Sequence, residues 1–168
     1  MARARKDAAR EVVREYFDAL MAKDLDRAVA TWKPGGEDRL YGFADMAAPH
    51  GIRDYFAGIF AAIPDFALEV NSMVAEGDQV AVHWRASGTF DGTQKFQGLV
   101  PNGRRVELEG LDLLTVSDGV IVSNHAYTNG MEFARQVGAL PPRDSGPERA
   151  MAAAVNAKTA IEKRIRNR

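Results

Sequence analysis

The chain contains no cysteine. Disulfides, thiol nucleophiles and cysteine-ligated metals are therefore excluded, although the redox compartment stays open. Histidine is scarce. His50, His83 and His125 lack ligand-like spacing, and no Asp/Glu cluster joins them, so no metal site is expected. No apolar run approaches the ~20 residues needed to span a bilayer. The basic start, Met1-Ala2-Arg3-Ala4-Arg5-Lys6, lacks the apolar stretch that a signal peptide would place after it. A cytoplasmic protein without a membrane partner is the expectation. An excess of one charge is also missing. The formal net charge is −1, which gives no global basic field for nucleic acid. Gly35-Gly36 follows a helical segment rather than a strand, so it is not a dinucleotide fingerprint. No nucleophile-elbow pattern occurs. No cofactor is expected.

What remains is an ordinary globular composition, 46% hydrophobic and 27% charged over 168 residues, the size of one domain. Its charge is uneven. Residues 143–168 hold seven Lys/Arg against three Asp/Glu, a net +4, which leaves −5 for the rest. A basic tail on an acidic body suggests that the tail docks on its own body or on a second subunit; the plainer alternative is a solvated helix. The expected division is an α+β domain over residues 1–142 and a basic, helical tail over 143–168.

Apolar spacing sets the order of elements. Val13, Tyr16, Phe17 and Leu20 recur at i, i+3, i+4, i+7 and predict a helix over about Asp7 to Ala22. Asp24 caps a short second helix ending near Trp32, which Lys33-Pro34-Gly35-Gly36 then breaks. A loop or short strand carries Leu40, Tyr41 and Phe43. Ile52, Tyr55, Phe56, Ile59, Phe60 and Ile63 predict a third helix. Strands follow at Phe66 to Ala75, Gln79 to Thr89, about Arg105 to Val116, and Val120 to Thr128, the last two joined by the turn Ser117-Asp118-Gly119. Asn129 and Glu132 form a capping box for a short helix, and a final helix runs from Pro147 to about Lys163. Helices first and an antiparallel meander second make an α+β domain. The expected shape is a cone-shaped α+β barrel, a curved sheet wrapped around three N-terminal helices, with an extra C-terminal helix.

Asp112 breaks the pattern of its strand. Val106, Leu108, Gly110, Asp112, Leu114 and Val116 share one face, and all but Asp112 suit a core. A buried carboxylate must be paired, hydrogen-bonded or protonated, and such groups tend to sit at functional sites. Asp112 is thus the leading acid/base candidate, against the alternative of a carboxylate tied to a buried Tyr, Trp or Arg.

Several segments together resemble the SnoaL-like polyketide cyclases, within the wider nuclear transport factor 2-like and ketosteroid isomerase-like superfamily. They are Ile63-Pro64-Asp65-Phe66, Glu76-Gly77-Asp78-Gln79-Val80-Ala81-Val82-His83-Trp84, Ser87-Gly88-Thr89-Phe90, Pro101-Asn102-Gly103-Arg104-Arg105-Val106, the hairpin from Gly110-Leu111-Asp112 to Asp118-Gly119-Val120-Ile121-Val122, and Phe133-Ala134-Arg135-Gln136-Val137-Gly138. The resemblance covers roughly Ala9 to Pro142. It implies a cavity for a small hydrophobic molecule, polyketide- or steroid-like, and cofactor-free acid/base cyclisation or isomerisation. It also implies a homodimer that covers the convex sheet face. The histidine that supports catalysis in such cyclases falls on Asp112. Their catalytic carboxylate falls on Ala126, or on Tyr127 if the strand is bulged, and neither is an acid.

The remaining candidates depend on strand parity. Without a bulge Asn124 faces the cavity and His125 and Tyr127 face away; with one, the assignment swaps. His125 has a suitable unperturbed pKa. Tyr127 and Asn124 have donors for an enolate oxygen. Tyr16, Trp32, Tyr41 and Trp84 are candidate walls of a binding cavity, or plain core. His50 sits before a helix, and His83 on an outer face. Non-catalytic binding is the alternative function. Epoxide hydrolysis is a third, which needs a second carboxylate near Asp112 that no local pattern supplies.

Overall fold

The computed structural model describes residues 2–166. Helix α1 (Ala2–Met21) buries Val13, Tyr16, Phe17 and Leu20, the four residues whose spacing marks it. Lys23 turns the chain in the left-handed region (φ 56°), and the Asp24 carboxylate accepts the Arg27 N–H (3.0 Å) to cap α2 (Leu25–Ala30). Strands β1 (Trp32–Tyr41) and β2 (Ala44–Ala47) come next, then α3 (His50–Ala62). Four long strands follow, β3 (Ala67–Glu76), β4 (Gln79–Phe90), β5 (Arg104–Ser117) and β6 (Val120–Thr128). Helices α4 (Gly130–Gln136) and α5 (Gly146–Arg166) complete the chain. Asn129 accepts the Glu132 N–H (3.0 Å) and so caps α4 as its spacing predicts.

The six strands form one sheet in the order β2-β1-β6-β5-β4-β3. It curves over the helices without closing, so the architecture is α+β with an open sheet rather than a barrel. It is also not wholly antiparallel, because β1 runs parallel to β6. The stretch expected to be a helix break and a loop is in fact β1. Lys33-Pro34-Gly35-Gly36 forms a bulge inside the strand, with Gly35 at φ 81°, and pairing resumes at Glu37. Beyond the bulge, Gly36, Asp38 and Leu40 point inward.

Two apolar clusters pack on the inner sheet face. One centres on α1, with Val80, Val82 and Leu114. The other joins α3 and α4 through Ile59, Phe90, Phe96 and Phe133. The outer face carries His83, Arg85, Glu107 and Glu109, together with exposed Leu111, Leu113 and Tyr127. Helix α5 has no buried residue, and the tail is tied to its own body at its start, by Arg135 to Glu148 and Arg143 to Glu132. Among the described residues no helix is long and apolar enough to cross a membrane.

Candidate active site

The two clusters leave a cavity between them. About 110 Å³ of it is open to the centres of water-sized groups, several times the ~10–15 Å³ that one water needs. Its walls are aromatic and aliphatic: Phe43, Tyr55, Phe56, Phe66, Phe96 and Phe133 meet Leu40, Leu68, Val106 and Leu108. Among the described residues no lysine, arginine or histidine lines it. Its polar lining includes Asp38, Asp112 and Asn124, all buried, with Tyr16 and Trp84 beside them.

Register brings these side chains together. Asp112 lies opposite Ala126 across β5–β6, and Asp38 lies opposite Asn124 across the parallel pair β1–β6. The Asn124 amide nitrogen donates to both carboxylates, at 2.9 Å to Asp112 Oδ2 and 3.1 Å to Asp38 Oδ1. The Trp84 indole N–H donates to Asp112 Oδ1 at 2.7 Å. Asn124 Oδ1 is buried and has no partner. Trp84 reaches Asp112 by crossing Gly110, its neighbour in register on β5. A Cβ at 110 would stand 2.1 Å from the indole Cζ2, so only glycine lets the ring lie there.

Burial pushes both carboxyl groups up. Asp112 rises to about 6, held back by its hydrogen bonds from Trp84 and Asn124, which favour the ionised form. Asp38 rises to about 7, because it loses its proton in a buried site already facing the Asp112 charge, with only Asn124 to offset this. Asp112 therefore loses its proton before Asp38 as pH rises, and it is the anion with more hydrogen-bond donors. Burial, and then the charge of Asp38, also raise the hydroxyl pKa values of Tyr16 and Tyr55. Both phenols stay neutral and can donate.

This arrangement makes folding stability depend on pH. Unfolded carboxylates titrate near ~3.9. Below that value both states are protonated and the contribution of these groups to stability is fully present. Between there and pH 6–7 the folded chain binds more protons than the unfolded chain, so stability falls as pH rises through the window. An Asp38→Asn/Asp112→Asn double variant should gain on the parent by on the order of a few kcal/mol between pH 4.5 and 7.5. Urea midpoints across that range measure it, and parallel curves for the two proteins would refute the raised pKa values.

The candidates divide cleanly by position. Asp112, Asn124, Tyr16 and Trp84 line the cavity. His125 and Tyr127 do not reach it. A bulge is present in β6, with Val122 as the extra residue, and it is what turns Asn124 and Ala126 inward and His125 and Tyr127 outward, the reverse of the swap expected from a bulge. His125 and Tyr127 lie outside in a stack with Tyr41, whose hydroxyl meets His125 Nδ1 at 3.0 Å and whose ring lies 4.6 Å from that of Tyr127. Tyr41 is thus an outer-face residue, not a cavity wall. Trp32 packs edge-on against Tyr16 (5.6 Å) in the core and does not line the cavity. His50 begins α3, and His83 lies on the outer face, 3.9 Å from Glu109. Sequence reasoning missed Asp38 and Tyr55. Tyr55 carried only a helical-spacing signal. Asp38 could have been found from its alternation with Leu40, had β1 been recognised.

The open sheet of this α+β fold thus encloses an apolar cavity with a buried acid pair. Residues 10–137 match the model of the SnoaL-like polyketide cyclases, and the chain belongs to that family. No curated protein matches it in sequence. AclR of Streptomyces galilaeus, a candidate hydroxylase, is 24% identical with a TM-score of 0.71 over 95% of this chain and 97% of that one. A match so complete cannot omit all 21 residues of α5. A candidate SnoaL-like polyketide cyclase of Jannaschia sp. CCS1 is 24% identical (TM-score 0.72) over 82% of this chain and 96% of that one. An LEH-like epoxide hydrolase of M. tuberculosis is 16% identical (TM-score 0.61) over 79% and 90%. At these identities the likeness is one of fold.

Proposed function

We propose that the protein binds a small hydrophobic molecule, a polyketide- or steroid-like ring ketone, and catalyses its cyclisation or isomerisation by proton transfer without a cofactor. One observation carries this reading. Two buried carboxyl groups with different hydrogen-bond partners, bridged by one amide, line a mostly apolar cavity. Two acids whose surroundings push their pKa values apart divide the roles of base and acid between them. Asp112, with two donors on its carboxylate, takes the proton from the carbon next to the ketone. Asp38 keeps its proton longer and supplies it to the developing enolate or to the product carbon. Tyr16 and Tyr55 offer neutral donors to the oxygen.

Asp38 also favours a second reading, opening of an epoxide. There the ionised acid would take a proton from water and the protonated one would protonate the epoxide oxygen. The same experiment separates these readings from mere binding. The protein is incubated with a panel of ring ketones in D₂O and of apolar epoxides in ¹⁸O-water. Deuterium entering next to the carbonyl supports the first reading. ¹⁸O in a diol supports the second. Binding of ketones and epoxides without either label overturns both.

A further inference from the structure

The polar end of the cavity is rich in acceptors and holds no positive charge to balance them. Asp38 and Asp112 are 3% and 7% exposed. Asn124 gives both carboxylates the same amide nitrogen, and Trp84 gives Asp112 one further donor. Among the described residues no other group donates to either carboxylate, so Asp38 Oδ2 has no donor. Asn124 also lines the cavity, is 2% exposed, and leaves its Oδ1 buried without a partner. A buried acceptor without a donor is costly, and a buried carboxylate without a counter-charge is costlier. Among the described residues the cavity has no lysine, arginine or histidine to supply that charge. Nor do they include a group of three or more His, Asp or Glu placed to hold a metal ion. A hard divalent cation takes about six or more oxygens, whereas an organic cation is content with fewer.

We infer that the cavity binds hydrophobic amines, with the ammonium group docked on Asp38 and Asn124 and the apolar body against Phe43, Phe96 and Phe133. An ammonium group has three donors and no acceptor. Asp38 Oδ2 and Asn124 Oδ1 take two of them, and a phenol oxygen of Tyr16 or Tyr55 can take the third. The rings of Tyr16, Tyr55 and Trp84 line the same cavity, and aromatic walls attract a cation further. A carboxylate guest of the same shape meets only repulsion from the acid pair.

The charge of the site sets the pH dependence. Its titratable groups are Tyr16 of α1, Asp38 of β1, Tyr55 of α3 and Asp112 of β5. Trp84 of β4 and Asn124 of β6 face the pair without titrating. Both tyrosines stay neutral, their pKa values raised by burial. Asp112 and Asp38 lose their protons as pH rises through about 6 and about 7. An alkylamine keeps its proton throughout that window. Amine affinity therefore rises across it and levels off above. A neutral guest that desolvates the pair shows the opposite slope.

Three probes of one shape test the site by calorimetry on the full chain: naphthylmethylamine, naphthylmethanol and naphthoate. Binding is read without turnover, so the result is independent of the proton-transfer reading. Above about pH 7 the amine should bind at least ~tenfold more tightly than the alcohol, the worth of one hydrogen bond between charged groups. Naphthoate should bind least. Amine affinity should climb between about pH 5.5 and 8 while that of the alcohol does not. Asp38→Asn/Asp112→Asn should remove the amine's advantage and its pH slope and leave alcohol binding in place. The comparison of probes and pH uses the parent chain alone, so it decides the matter even if that variant folds poorly. Equal affinity for amine and alcohol above about pH 7, or no amine binding at millimolar concentration, overturns the assignment. Unchanged amine binding in the double variant overturns it too, because the amine would then sit on the acidic surface of the body.

Discussion

An Asp112→Asn chain is expected to process its ring ketone or epoxide ~10²–10⁴-fold more slowly than the parent, the usual worth of one general acid/base. Ligand affinity should change little, because Asn keeps the shape of Asp and one of its oxygen acceptors toward Trp84 or Asn124. Asp38→Asn should cost a comparable factor, since it removes the proton rather than the base. The double variant should be hardly slower than either single one, because the two acids act as a unit and such losses do not add. Steady-state rates with affinity titrated separately make the measurement. An unchanged rate in Asp112→Asn would remove the residue from the mechanism. A large loss there with none in Asp38→Asn would leave Asp112 working alone.

Gly110→Ala is expected to destabilise the fold by about 3–5 kcal/mol, though it adds a single methyl group. Overpacking by one carbon usually costs about 1–3 kcal/mol. Here the intruding Cβ stands 2.1 Å from the Trp84 ring, and the indole must leave its seat. With it goes the hydrogen bond to Asp112, and a donor to a charged group is worth about 1.5–3 kcal/mol. Denaturant midpoints at constant slope measure the loss. In a Trp84→Leu background, where the ring is gone, the same substitution should cost less than half as much. That double-mutant cycle isolates the contact from any general intolerance of β5 to alanine. Equal costs in both backgrounds would show that the clash with Trp84 is not the cause.

Much of this architecture is legible in the residues. The helical spacing of α1 and α3, the alternation of β4 and β5 and the caps Asp24 and Asn129 each act over a few residues, so a local pattern reveals them. Asp112 was visible for the same reason, one acid in a run of inward apolar positions. Its partner was not. Asp38 lies two residues beyond Lys33-Pro34-Gly35-Gly36, which carries the signature of a break and is here a bulge within β1. What holds that segment in a strand is pairing with β6, more than eighty residues away, and no local window contains it. The facing of β6 was hidden in another way. One extra residue, Val122, decides whether Asn124 or His125 points inward, and only the register with β5 places it. His125, Tyr127 and Tyr41 therefore looked as plausible as Asn124, although they form a stack on the opposite side of the sheet.

Among the described residues no lysine, arginine or histidine lines the cavity around the acid pair, which gives it a property of its own. Its charge balance is set by protons and by whatever water still reaches Asp38 and Asp112. An apolar guest that displaces that water deepens the desolvation of both groups and pulls a proton from the surrounding buffer. The guest thereby loads the acid before any bond changes. On the proposed function, binding and proton uptake are then linked, and the uptake must stop at Asp38, because a proton on Asp112 would remove the base.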